Sequence, residues 1–476
     1  MTPRARLALG VLLLCLGFAA PASAQDGVQH LHFAYGPVEV APGQNTIALD
    51  VNTQRPSVDG WIVGFRPNLV RVSDGSIPRV DVIHLHHGVW LKNLQPLFAA
   101  GEEKTAVAAP PGYGWRYRTS DKWHMNHMIH NLTPTPDEVY ITYDIDVIPD
   151  GSPAAQGINE VQTIWLDTVG GAYPVFDAKR GTGGRDRRFT YPDEASGAPR
   201  NAWTVPEDGA LVGSGGHLHP GGLWTDLTLT RGDKSTRLFR SRAKYYEPAG
   251  AVSWDVSMTV TPPSWRVQLR KGDVLSVSGT YDTRRASWYE SMAIMPTIFD
   301  PGGTGADPFT TDVDVKGQVT HGHLAENNGH GGGRLSGLAN PLELLSRPVP
   351  GGGAVAIKGF VYGQGDLSST GKRGRPARVR AGRGLKFVNR DAKRTIFHTI
   401  TACKAPCNRT TGIAYPLANG EVDFDSGELG FGPRGFTPAA NRDTWTTPKR
   451  LEAGKYSYFC RVHPFMRGAF EVWPKR

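Results

Sequence analysis

Near its C-terminus the chain reads GKYSYFCRVHPFMRGAFEV, which places Cys460, His463 and Met466 at C-x2-H-x2-M spacing. A further imidazole, His398, closes the upstream stretch LKFVNRDAKRTIFHTIT. One thiolate, two imidazoles and a thioether are the donor set of a type 1 (blue) copper electron-transfer centre. Soft sulfur favours Cu(I), and imidazole suits both oxidation states. The short loop from Cys460 to Met466 brings three of the donors together at little closure cost. Other histidines cluster in DVIHLHHGVWL (His84, His86, His87), KWHMNHMIHNLTP (His124, His127, His130) and GSGGHLHPGGLWTDLTL (His217, His219). On a strand, H-x-H puts both imidazoles on one face, so His217 and His219 can share a metal. His86 and His87 point to opposite faces unless the strand is bulged; on a regular strand the pair is His84 with His86. Spacing leaves both open. Singly, His30, His32, His124 and His127 read as surface or core histidines. His321, His323 and His330 lie in the Gly-rich stretch THGHLAENNGHGGG and read as a solvated loop.

The elements that must position these groups are strands. Gly (58) and Pro (36) are abundant and long apolar helical stripes are missing. Short runs such as DEVYITYDIDVIPD and GLWTDLTLTRGD alternate between turn signals, the pattern of antiparallel β-sandwiches. A chain of 476 residues implies about three domains at roughly 150 residues each. The expected division is a leader at 1–24, a first sandwich at 25–185, a second at 195–320, a Gly/His-rich linker at 321–351 and a final sandwich at 352–476. The leader has Arg4 and Arg6, an apolar run from Leu7 to Ala20, and Ala22-Ser23-Ala24 before Gln25. That reads as an export signal, with a secreted or periplasmic protein as the consequence. The apolar run is too short for a membrane span, and Leu14 before Cys15 argues against a lipoprotein box. Beyond the leader three cysteines remain. In an oxidising compartment Cys403 and Cys407 can pair locally, which leaves Cys460 as a thiol available to a metal. The formal charge of +9 is partly concentrated in one run, Lys372, Arg373, Arg375, Arg378, Arg380, Arg383 and Lys386. No aromatics interleave with these charges, so the run reads as a solvated or acidic-partner-facing surface, with no nucleic acid expected.

CRVHPFMRG and VNRDAKRTIFHTI together resemble the cupredoxins, and within them the amicyanins, over about 120 residues. That resemblance implies a Greek-key sandwich with type 1 copper on His398, Cys460, His463 and Met466. The insertion TACKAPCNRTTG departs from the pattern. The two front blocks resemble the copper type II, ascorbate-dependent monooxygenases, the superfamily of peptidylglycine α-hydroxylating monooxygenase and dopamine β-hydroxylase. HHGVWL, NHMIHN, GHLHPGG and SGTYDTRRASWYESMAIMP carry the likeness. It implies two jelly-roll-like sandwiches and two separated type 2 coppers, the first on His86, His87 and His130 and the second on His217, His219 and Met292. Met295 and Tyr289 stay open as alternatives to Met292. It also implies O2-dependent hydroxylation of a C–H bond, with electrons from ascorbate or from the tethered blue copper. Departures are the absence of Cys from both blocks and Gly215 where the family carries an Arg for a peptide carboxylate. The expected partners are a small-molecule or peptide substrate and a redox protein. The competing expectations are a non-catalytic copper-binding or electron-transfer protein of the cell envelope, and a binding module.

Overall fold

The structure is a computed structural model. It describes residues 27–320, 354–363, 377–403, 422–431 and 442–475, apart from 45–46, 52, 81, 134, 172–173, 193–200, 247–253, 255, 285, 395 and 464–465. The leader, the 321–351 linker with His321, His323 and His330, and also Cys407, Lys372, Arg373 and Arg375, lie outside the described residues. Among the described residues the chain is all-β, with 3-10 turns such as Pro153–Ala155 and Ala392–Arg394. Among the described residues no helix is long and apolar enough to cross a membrane.

The first block packs two sheets face to face. One runs in the order Gln29–Val40, Asp137–Pro149, Gly60–Arg71, Tyr113–Tyr117, Asn159–Glu160. The other runs Ile47–Val51, Trp123–Asn131, Ile83–Lys92, Gln95–Gly101. Strand Asp137–Pro149 shows why. Its alternate residues Val139, Ile141, Tyr143, Ile145 and Val147 are all buried in one core, as a period of two requires when one face is covered. Trp90 stands edge-on to Phe65, ring centroids 4.8 Å apart, and Phe98 stacks on Phe65 at 4.5 Å.

The second block pairs Arg188–Tyr191, Val274–Asp282, Gly222–Arg231, Lys234–Tyr245, Val256–Val260 and Gln318–Val319 in one sheet. Facing it is the sheet Gln162–Ile164, Thr297–Pro301, Gly209–Ser214, Val267–Leu269. Pairing with the second block thus begins at Gln162, and Phe176–Ala178 likewise pairs with Trp288–Ser291. The last block has sheets of four and five strands. In it Tyr458, Phe387, Phe470 and Tyr362 surround the buried Cys460 and Met466.

The three blocks touch. Arg461 of the last donates to the carbonyl of Ser287 in the second at 2.6 Å. His463 of the last meets the carbonyl of Gly43 in the first at 3.3 Å.

Candidate metal centres

In the last block the loop after strand Gly454–Phe459 folds back, so that Cys460 N–H donates to the Met466 carbonyl and Met466 N–H to that of His463. His398 enters from a bridge with Leu429. The Cys460 sulfur lies 3.6 Å from His463 Nδ1 and 3.9 Å from His398 Nδ1, and the two Nδ1 atoms are 3.2 Å apart. The other side of each ring is fixed. His463 Nε2 faces the Gly43 carbonyl, and His398 Nε2 faces Asp391 Oδ2 at 3.1 Å. Oxygens of these kinds accept, so both Nε2 atoms carry the proton and both Nδ1 atoms turn toward the sulfur. Burial alone would push the Cys460 thiol up; hydrogen bonds with His398 and His463 outweigh it and hold the thiol well below its usual value. Thr399 N–H also donates to the sulfur, at 3.3 Å. The structure brings His398, Cys460 and His463 into one group able to hold a metal. Met466 is fully buried in the same apolar cluster as Cys460.

In the first block the pairing of Ile83–Lys92 with Trp123–Asn131 slips by one residue, Leu85 opposing Ile129 and His87 opposing Met128. His86 is the extra residue of this bulge. Leu85 and Trp90 face the core. By register, His84 (opposite His130) and His87 both belong to the other face. The second group able to hold a metal is His84, His86 and His130. His84, not His87, therefore stands with His86 and His130. The His86 ring stacks on His130 with centroids 4.1 Å apart. His87 turns instead toward Asn126 and the wall of a cavity.

The second block closes on this group. His219 lies 4.4 Å from His86, ring to ring, so the histidines expected at two separated sites form one continuous cluster. Trp254 covers it, 5.0–5.6 Å from the rings of His84, His86, His130 and His219. The two-residue ladder His217–Leu218 with Ala293–Ile294 sets the register. One buried hydroxyl, that of Tyr281, accepts from the backbone N–H groups of His219 and Met292 and donates to the Met292 carbonyl. Of the three thioether or phenol candidates, Met292 lines the same cavity as His87 and His217. Met295 is buried in the second block's core with Leu211 and Phe299. Tyr289 packs against Gly427 of the last block.

A metal fits this cluster. His84 Nδ1–H donates to the Val80 carbonyl at 2.6 Å and His219 Nδ1–H to that of Glu290 at 2.5 Å. His217 Nδ1 meets both carboxylate oxygens of Glu103 at 3.1 Å. In each case the Nε2 atom is left buried without a hydrogen-bond partner, as are both ring nitrogens of His86 and His130. Orientation of one ring nitrogen by an oxygen is how metal-binding imidazoles are held. Burial first, and neighbouring imidazoles second, hold His86, His130 and His219 well below the ordinary histidine value; His84 is lowered to about 4, again chiefly by burial. These rings are neutral at physiological pH, so their lone pairs are available.

Several members of the cluster were not singled out in the sequence. Glu102, Glu103 and Lys104 are almost fully buried, although GEEKT reads as a charged turn. Glu102 Oε2 stands 4.0 Å from His86 Nδ1. The signal that could have found them is register: Gly101 pairs with His87, so the acidic pair follows directly on the strand next to the histidine strand. Trp254 had no signal. Outside the cluster, His30 pairs with Asp146, His32 with Asp144 and His127 with Asp50 at 2.6–2.7 Å.

The grouping makes a discriminating pair of variants. His84→Ala should weaken metal binding at the front cluster by about 100-fold or more, since even an outer partner of a ligand is worth about 10–100-fold. His87→Ala should leave that metal in place. Elemental analysis after dialysis against a graded chelator reads both, and equal retention by the two variants would remove His84 from the ligand set.

No family model matches the sequence, and no curated protein matches it. Among solved structures the chain is similar to a copper-containing nitrite reductase from Thermus scotoductus SA-01, at 14% identity over 57% of this chain and 59% of that one, with a TM-score of 0.15. It thus spans about three fifths of that protein's length. It is also similar to the VP2 subviral particle of infectious bursal disease virus, at 9% identity over 59% and 73%, with a TM-score of 0.20. Likeness of this extent says nothing about the site.

Proposed function

We propose that the chain is an exported copper oxidoreductase that hydroxylates a C–H bond of a small apolar molecule with O2. In this reading the Cys460 centre hands electrons to the front histidine cluster, and copper held there supplies the oxygen chemistry. The observation that carries the reading is a cavity of about 350 Å³ between the two front blocks. Its wall is apolar, with Leu97, Phe98, Trp165, Val212 and Ile298, and it reaches His87, His217 and Met292. Cavities of this size and lining take small ligands. The residues of the wall offer no charge to pair with an ionic substrate except Glu103, which His217 already occupies. Substrate recognition here is therefore by shape and apolar contact. Tyr281 keeps the His219 and Met292 backbones in fixed relation, so the cluster and the cavity wall share one support. Export rests on the Arg4–Ala24 leader.

The test is O2 uptake by the copper-loaded chain with ascorbate, screened over small apolar candidates. Ile298→Gln, at a cavity wall position remote from the histidines in sequence, should raise KM by roughly tenfold or more and leave copper content unchanged. Full copper occupancy with no substrate-dependent uptake would point instead to a non-catalytic copper-binding protein.

A further inference from the structure

We infer that the segment Ala41–Gln44 is the electron bridge between the two metal-holding groups, joining His463 to His130 through Gly43, Gln44 and Asn131. The inference rests on the functional reading above and adds the route.

The Nε2–H of His463 donates to the Gly43 carbonyl at 3.3 Å, and the ring is almost completely buried there. One peptide further on, the Gln44 carbonyl accepts from Asn131 N–H at 3.0 Å. Asn131 follows His130, a member of the front metal-holding group. The path from one centre to the other is thus two hydrogen bonds and a few backbone bonds.

The segment is built to stay in place. Gly43 N–H donates to the Thr133 carbonyl at 3.2 Å, Gln44 N–H to that of Ala41 at 3.0 Å, and Ala41 N–H to the Gln44 side chain at 2.9 Å. The Asn131 side chain donates to the Val40 carbonyl at 3.2 Å. Gly43 has φ +62°, and a Cβ there would collide with the Phe360 ring and come within 2.9 Å of His463 Nε2. Only glycine allows this approach of the last block to the first.

The transfer moves one electron and makes or breaks no bond. The Cys460 centre is oxidised by one unit and the His130 group reduced by one. An external one-electron reductant of the ascorbate class restores the Cys460 centre.

The test uses the full, copper-loaded chain. A substoichiometric pulse of reductant bleaches the blue band, which should then recover in a first-order phase whose rate does not depend on protein concentration. Gly43→Ala should slow that phase by about tenfold or more, because displacements of about 1 Å are worth up to about 100-fold where positioning governs rate. The band itself should persist, since Cys460, His398 and His463 are all retained. Recovery in Gly43→Ala at the wild-type rate overturns the bridge, as does a wild-type phase that scales with protein concentration. Both outcomes leave the functional reading standing, whereas a colourless wild type removes the reading and the bridge with it. If the variant does not fold, proton exchange in the Ag(I)-loaded wild type decides. A His463 Nε2–H protected from solvent supports the bridge, and one that exchanges freely overturns it.

Discussion

Cys460→Ala should abolish the intense visible band of the oxidised protein and remove one equivalent of copper per chain, while the front cluster keeps its metal. The thiolate is the donor that makes such a centre coloured and soft enough for Cu(I). Two imidazoles alone, His398 and His463, do not replace it. The surrounding shell survives the change, because Asp391 and Gly43 hold the two rings from outside rather than through the sulfur. The variant should therefore fold, and the loss should be spectroscopic rather than global. Absorption and copper content measured on the same sample check both halves. Undiminished colour would falsify the ligand assignment, and loss of all copper would show that the two centres depend on each other for folding.

Arg461→Met should cost about 3–5 kcal/mol of stability, the loss expected when one partner of a buried ion pair is removed. Arg461 is fully buried between the blocks. Its Nη1 donates to Asp425 Oδ2 and to the Ser287 carbonyl, each at 2.6 Å, and its guanidinium lies 4.8 Å from the centre of the Trp288 ring. Methionine fills the space and leaves the Asp425 carboxylate buried without its cation. Adding Asp425→Asn should recover much of the loss, since the uncompensated charge and not the missing contact dominates the cost. Denaturant unfolding followed through the blue band reads the effect at the Arg461 end of the molecule. A single variant as stable as the double would assign the loss to packing on Trp288 instead.

How much of this was readable in the sequence depended on how local each feature is. The strands of the first block are legible because DEVYITYDIDVIPD alternates at a period of two, and the buried residues follow that alternation. The group at Cys460 is legible because two of its three members lie three residues apart in one loop and the third ends a strand-like run. The front cluster is different. Which of His84, His86 and His87 stand together turns on a one-residue slip opposite Leu85, and a period of two cannot announce a slip. Glu102 and Glu103 read as a polar turn because their partners are distant in sequence, His86 beside Glu102 and His217 of the second block on Glu103. Trp254 lies far in sequence from every histidine motif it covers and meets His84, His86 and His130 only across blocks. The choice among Met292, Met295 and Tyr289 was open for the same reason, since each of the three packs against a different body of the protein.

The exchange of strands between the front blocks also sets an order in time. Gln162–Ile164 and Phe176–Ala178 take their neighbours from Thr297–Pro301 and Trp288–Ser291, more than a hundred residues later in the chain. A chain emerging from its N-terminus can complete the first block's sheets once Asp137–Pro149 has closed on Gln29–Val40 and Asn159–Glu160 has paired with Tyr113–Tyr117. The next strands must then wait, with open edges, until the whole second block has followed. Open edges of that kind recruit the wrong partners when they persist. His84, His86 and His130 stand together within the first block, but His219 and Trp254, which close over them, arrive only after this wait.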